Sequence, residues 1–163
     1  KNKFLLFFLN IFFIFYISIF CLIFFLLSNF IQFKIVLFII LCGCIASDIG
    51  GFIIGKIFKG PKLTKISPNK TISGSLGSLL FTILIILLMV YYYTNNFTFY
   101  IVVISLITSM SCQFGDLFFS FLKRKAKIKD TGNFFPGHGG VLDRIDGILL
   151  GVPLGFISFI LLY

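Results

Sequence analysis

Asp143 and Asp146 stand three residues apart behind the run PGHGG, in a chain whose five acidic residues are all aspartate. On a helix that starts near Gly140, this spacing puts both carboxylates on one face. The surrounding segment, residues 120–146, reads SFLKRKAKIKDTGNFFPGHGGVLDRID and also holds Asp130, the single histidine (His138) and both arginines (Arg124 and Arg144). Asp116 lies one helical turn earlier, on a face shared with Ser120 and with Lys123 or Arg124. Carboxylates that converge from separate helices beside Lys and Arg are the ingredients of a hard-cation site that also holds phosphates, and Mg²⁺ is the natural ion for it. Taken singly, each Asp fits equally well an ion pair that settles a helix end at an interface. His138, flanked by glycines, reads either as a turn residue or as a phosphate contact.

The elements that must position these groups are apolar. Of the 163 residues, 59% are hydrophobic and only 12% charged, and the mean hydropathy is +1.12. That balance belongs to an integral membrane protein rather than a soluble domain. Roughly 20 apolar residues cross the ~30 Å hydrocarbon layer as a helix. The apolar runs here are continuous, not alternating, so helices are expected rather than a barrel. The fold expected is an all-α, polytopic transmembrane helical bundle of about five spans, near residues 4–27, 35–54, 76–93, 97–122 and 141–163. No repeat or linker divides it, so residues 1–163 are expected to form a single integral membrane domain.

Two connections are long and basic. Residues 55–75 carry Lys56, Lys59, Lys62, Lys65 and Lys70, and residues 122–144 carry Lys123, Arg124, Lys125, Lys127, Lys129 and Arg144. Threading five spans puts both on one side with Lys1 and Lys3, and the positive-inside rule makes that side cytoplasmic, amino terminus included. The net charge of +9 therefore reports topology, and nucleic acid is not an expected partner. Asp48 and Asp116 sit about two turns inside their spans, next to these loops, where ionisable groups usually face a bundle interior or polar cavity. The four cysteines all fall in apolar runs and read as small buried hydrophobes.

Residues 50–56, GGFIIGK, fit the spacing of a P-loop, but Ile57 stands where Ser or Thr must hold Mg²⁺ and the run is a membrane helix, so that reading is rejected. DRIDG, residues 143–147, shares the opening of the CDP-alcohol phosphotransferase signature without its later residues.

Taken whole, residues 120–147 resemble the signature of the phosphatidate cytidylyltransferase (CDP-diacylglycerol synthase) family. The matching positions are Ser120, Lys123, Arg124, Lys129, Asp130, Pro136 through Gly140, Asp143, Arg144 and Asp146. Upstream, Asp48, Gly50, Gly55, Lys56, Lys62, Leu63, Ser67, Pro68, Lys70, Thr71 and Gly74 fit the family's second region, from which Ile49, Asn69, Ile72 and Ser73 depart. The resemblance implies a reaction that joins CTP and phosphatidate into CDP-diacylglycerol and pyrophosphate at the cytoplasmic face of a bacterial inner membrane, among membrane lipids and with a homodimer as the expected assembly. It implies Asp116, Lys123, Asp143 and Asp146 as catalytic, with Mg²⁺ on Asp116, Asp143 and Asp146 and a second cation such as K⁺. Substrate binding falls to Asp48, Ser67, Lys70, Thr71, Ser120, Arg124, Lys129, Asp130, His138, Gly139, Gly140 and Arg144. Family members carry additional amino-terminal spans, so a chain truncated or reduced there is expected. The alternatives are a cation or phosphate transporter using the intramembrane Asp residues, and a non-catalytic membrane scaffold.

Overall fold

Backbone groups in lipid have no water to bond, so each long apolar run closes its own hydrogen bonds as a helix. The computed structural model of the chain describes residues 3–27, 29–64, 67, 70–128, 130–132 and 140–163. Six helices follow in order: α1 (Lys3–Leu27), α2 (Ile31–Phe58), α3 (Ile72–Thr94), α4 (Phe99–Lys125), α5 (Leu142–Ile145) and α6 (Ile148–Leu162). Among the described residues there is no strand, only an isolated antiparallel bridge between Lys62 and Thr71. Four stretches are long and apolar enough to cross a membrane: Ile31–Phe58, Ile72–Thr94, Phe99–Lys125 and Leu142–Leu162. The all-helical, polytopic class expected from the apolar runs is the one observed, with α1 as a further 25-residue apolar helix.

The helices overrun the apolar windows. α2 continues to Phe58 rather than ending near residue 54, and α4 runs through Lys123, Arg124 and Lys125. An apolar window marks the thickness of the hydrocarbon layer, whereas a helix ends where its backbone is capped. The three cations in the last turn of α4 also complement the negative end of its dipole. A Schellman-type cap closes α4: the Ile128 N–H donates to Lys123 O (3.0 Å) and the Lys127 N–H to Arg124 O (3.0 Å), with Lys127 left-handed at φ 59°. The fifth expected span divides into α5 and α6 at Asp146 and Gly147, although both keep helical dihedrals.

The chain forms two compact units, Lys1–Ile35 and Val36–Tyr163. The first holds α1, whose Phe7 and Phe8 rings meet edge to face, 6.1 Å between centroids. In the second, α4 packs against both α3 and α6. Small residues let these helices approach closely. A Cβ on Gly77 would sit 2.4 Å from Ile54 Cβ and 2.7 Å from Gly50 O, so the α2–α3 crossing is a backbone-to-backbone contact that admits no side chain. The centre of this unit carries hydroxyls as well as apolar side chains. Ser47 and Ser109 share a hydrogen bond (3.3 Å), Ser78 Oγ donates to Ser47 O (2.7 Å), and Thr82 Oγ1 donates to Ser78 O (2.8 Å). Lipid tails are as apolar as the side chains, so membrane helices have no hydrophobic driving force to associate and rely on such close contacts and interhelical hydrogen bonds.

Candidate active site

The site is built around the last three turns of α4. Gln113, Asp116, Ser120 and Lys123 follow one another at intervals of three or four residues, so they share a face. Opposite Asp116 lies the α5–α6 junction. A Cβ on Gly147 would fall 2.7 Å from Asp116 Oδ1 and 2.8 Å from Cys112 Sγ, and a Cβ on Gly115 would fall 2.8 Å from Asp146 O. Only glycine at both positions lets the junction lie this close to α4. The approach brings the Asp116 and Asp146 carboxyls within electrostatic reach of one another.

Two lysines neutralise this acidic group. Lys123 Nζ donates to Asp143 Oδ1 (2.8 Å) and lies 3.5 Å from Asp146 Oδ2, so the two aspartates three residues apart meet one ammonium on a common face. These side chains are well covered, Lys123 15% and Asp143 9% exposed. Asp143 Oδ2 is separately occupied. It accepts from the Thr131 N–H (2.8 Å), the Thr131 hydroxyl (3.0 Å) and the Gly140 N–H (2.8 Å). One carboxylate thereby ties the chain at 131 to the chain at 140 and presents Lys123 to the site.

Lys70 arrives from the other basic connection, and its Nζ donates to Asp116 Oδ2 at 2.7 Å. Its backbone is fixed by a closed loop. The Leu63 N–H donates to Lys70 O (2.8 Å), the Lys70 N–H to Ser67 O (3.1 Å) and the Ile72 N–H to Pro61 O (2.9 Å). Thr71 then caps α3, its Oγ1 accepting from the Gly74 N–H at 3.1 Å. Beside this loop is a cavity of about 240 Å³ whose polar lining comes from Asp48, Lys70, Thr71, Ser75, Gln113 and Asp116. Phe52, Leu63 and Leu117 supply its apolar wall. Asp48 is within electrostatic reach of Asp116, Lys70 and Arg144.

The structure thus brings together Asp48, Lys70, Thr71, Asp116, Lys123, Gly140, Asp143 and Asp146 from three helices, the α5–α6 junction and two connections. Ser67 holds Lys70 through its carbonyl, and Ser120 is half-buried on α4. Arg124, Asp130 and Arg144 are exposed. Lys129, His138 and Gly139 lie outside the described residues. Among the described residues, no three His, Cys, Asp or Glu side chains are arranged to hold a metal ion. Lys123 stands between Asp143 and Asp146, and Lys70 rests on Asp116.

Residues 1–162 match the model of the cytidylyltransferase family. The chain belongs to that family. Among the curated relatives of this cytidylyltransferase-family chain, the phosphatidate cytidylyltransferase of Helicobacter pylori is 43% identical over 108 residues, 66% of this chain and 40% of the relative. That of Rickettsia felis is 41% identical over 133 residues, 76% of this chain and 59% of the relative. That of Bacillus subtilis is 37% identical over 118 residues, 71% and 43% respectively. The chain therefore spans between 40% and 59% of the length of these three proteins. Its apolar helices make this family member an integral membrane protein.

Sequence reasoning passed over Gln113, Ser75 and Thr131. Gln113 Nε2 donates to Ser75 O (3.3 Å) and to Ser109 Oγ (3.3 Å), while its Oε1 accepts from Ser75 Oγ, so it ties α4 to the first turn of α3 behind Lys70. A signal for it existed. It is an amide inside an apolar run, three residues before Asp116 and hence on the same helical face. Thr131 carries no such signal, because its role depends on where the chain returns at Gly140.

Proposed function

We propose that the chain carries the catalytic part of a CTP:phosphatidate cytidylyltransferase, which forms CDP-diacylglycerol and releases pyrophosphate. The observation that carries this reading is the convergence of Asp48, Asp116, Asp143 and Asp146 with Lys70 and Lys123 at one end of the helices, in a chain whose relatives bear that name. Both reactants are anions, so the site has to suppress their repulsion and align them. A phosphate oxygen of phosphatidate attacks the α-phosphorus of CTP, the bond from that phosphorus to the bridging oxygen breaks, and pyrophosphate leaves with the electron pair. The attacking phosphate is already ionised and needs no base. Lys70 and Lys123 are placed to meet phosphate oxygens, and Arg144 stands near Asp48 at the same end.

Carboxylates are the donor type a hard cation takes, although no three of them are arranged as ligands among the described residues. Asp116 and Asp146 lie within electrostatic reach of one another, and a cation would relieve their repulsion. Lys70 and Lys123 supply the positive charge beside these acids. Asp116, Asp143 and Asp146 are the residues that would hold Mg²⁺, which would supply neutralisation of the leaving pyrophosphate. K⁺ is the proposed second cation. The basic connections at this end support a cytoplasmic orientation, where CTP is available while acyl chains remain in the bilayer. The apolar wall of Phe52, Leu63 and Leu117 suits a lipid glycerol and its chains.

The test is conversion of labelled CTP and phosphatidate by the chain in lipid nanodiscs. Mg²⁺-dependent formation of CDP-diacylglycerol is expected, and Asp143→Asn is expected to abolish it. Absence of product at any Mg²⁺ concentration would overturn the reading, and undiminished turnover by Asp143→Asn would overturn its metal and lysine assignments.

A further inference from the structure

Asp48, Phe52 and Lys56 follow one another at four-residue intervals along α2, so an acid, a ring and an ammonium form one stripe that runs toward the Phe58 end. Asp48 and Phe52 both line the cavity that holds Lys70. Phe52 is also 68% exposed, and Lys56 Nζ stands 5.5 Å from the centre of its ring. A ring that lines a cavity and is itself this exposed marks the side on which the cavity opens, and on a membrane-spanning helix that side is lipid. The depth agrees. A helix of 28 residues is about 42 Å long, so centred on a ~30 Å hydrocarbon layer it overhangs by about 6 Å at each end. Phe52, about 9 Å from the Phe58 end, then lies at the edge of the hydrocarbon, the level of a lipid's glycerol and ester groups. Inside the opening waits a positive charge. An ammonium carries three donors, and Asp116 takes one of those of Lys70.

We propose that Phe52 is the lipid portal of this cavity: the phosphate monoester of phosphatidate passes its ring to reach Lys70, while the acyl chains stay in the bilayer against the ring's outer side. The cavity, about 240 Å³, takes a phosphate and a glycerol but not two acyl chains as well. Lys56, exposed one turn nearer the helix end, meets the headgroup on its way in. Phe52 is thereby a specificity-determining residue, and Lys70 serves the lipid phosphate rather than the nucleotide. This inference rests on the phosphatidate reading above and names the part of the site that takes the lipid.

The chain contains no tryptophan, so Phe52→Trp places a single fluorophore at the portal. Its emission is measured in nanodiscs that hold equal mole fractions of phosphatidate, phosphatidylglycerol or phosphatidylcholine with acyl chains brominated near the ester. Brominated phosphatidate is expected to quench roughly twofold more than the other two lipids, and the excess is expected to vanish when Lys70→Gln is added. Leu80→Trp, on the exposed face of α3, is expected to be quenched equally by all three. Equal quenching by phosphatidate and phosphatidylglycerol at position 52 would overturn the portal, because the basic connections attract any anionic lipid. An excess that persists with Lys70→Gln would overturn the lysine's part in it. An excess abolished by CTP, added without divalent cation, would give the cavity to the nucleotide and overturn the proposal. Each of these results leaves the proposed function standing if the natural chain still forms CDP-diacylglycerol, whereas the expected excess in a chain that forms no product would overturn that function alone.

Discussion

Asp143 places its two oxygens in different tasks: Oδ1 holds Lys123, and Oδ2 collects two N–H groups and a hydroxyl from residues 131 and 140. Hydrogen bonds to a charged acceptor contribute about 1.5–3 kcal/mol where they are shielded, and less where exposed. Thr131 is exposed, and its Val substitution keeps the backbone donor while deleting the hydroxyl. Thr131→Val is therefore expected to lower turnover roughly three- to tenfold without changing the Mg²⁺ concentration that gives half-maximal rate. Steady-state kinetics across a Mg²⁺ series would check this. A change in the Mg²⁺ requirement alone would mean that the Thr131 hydroxyl acts through the cation rather than through the loop.

The helices reach the site because glycine removes the side chains that would hold them apart. At Gly77 the obstructing atoms would be Ile54 Cβ and the Gly50 carbonyl, neither of which can swing away. Overpacking of this kind costs about 1–3 kcal/mol. Gly77→Ala is expected to lower the thermal midpoint in detergent by several degrees, whereas Leu80→Ala, on the exposed face of the same helix, is expected to change stability by less than about 0.5 kcal/mol. Thermal unfolding followed by loss of the monodisperse peak in size-exclusion chromatography would separate the two. Gly77→Ala with an unchanged midpoint would show that α2 and α3 can part without consequence. At Gly147 the same logic serves the site directly, since the atom in the way would be Asp116 Oδ1.

Across the molecule, Lys70 meets Asp116 and Lys123 meets Asp143 at one end of the helices of the second unit. Residues 95–98, joining α3 to α4, lie at the other end. If the basic end is cytoplasmic, Lys62→Cys in intact cells is expected to resist an impermeant maleimide until the membrane is opened, and Asn96→Cys to react from outside. The reverse labelling pattern would put the site on the outer face and remove access to cytosolic CTP.

The sequence by itself determined the helical, membrane-spanning class, because continuous apolar runs have no other way to satisfy their backbone in lipid. It also determined that Asp143 and Asp146 would share a face, because that depends only on helical period, and both indeed reach Lys123. The signature residues at 120–146 were legible as a cluster for the same local reason. The tertiary structure decided which distant groups meet them. Lys70 pairs with Asp116 across 46 positions of sequence, and Gln113 with Ser75 across 38. Those pairings depend on how closely α2, α3, α4 and α6 approach at their glycines, a property of packed surfaces that no single helix's periodicity contains. For the same reason the sequence does not contain how Lys70 and Lys123 are held, while the structure separates them: one lysine is held between two carboxylates, and the other rests on one.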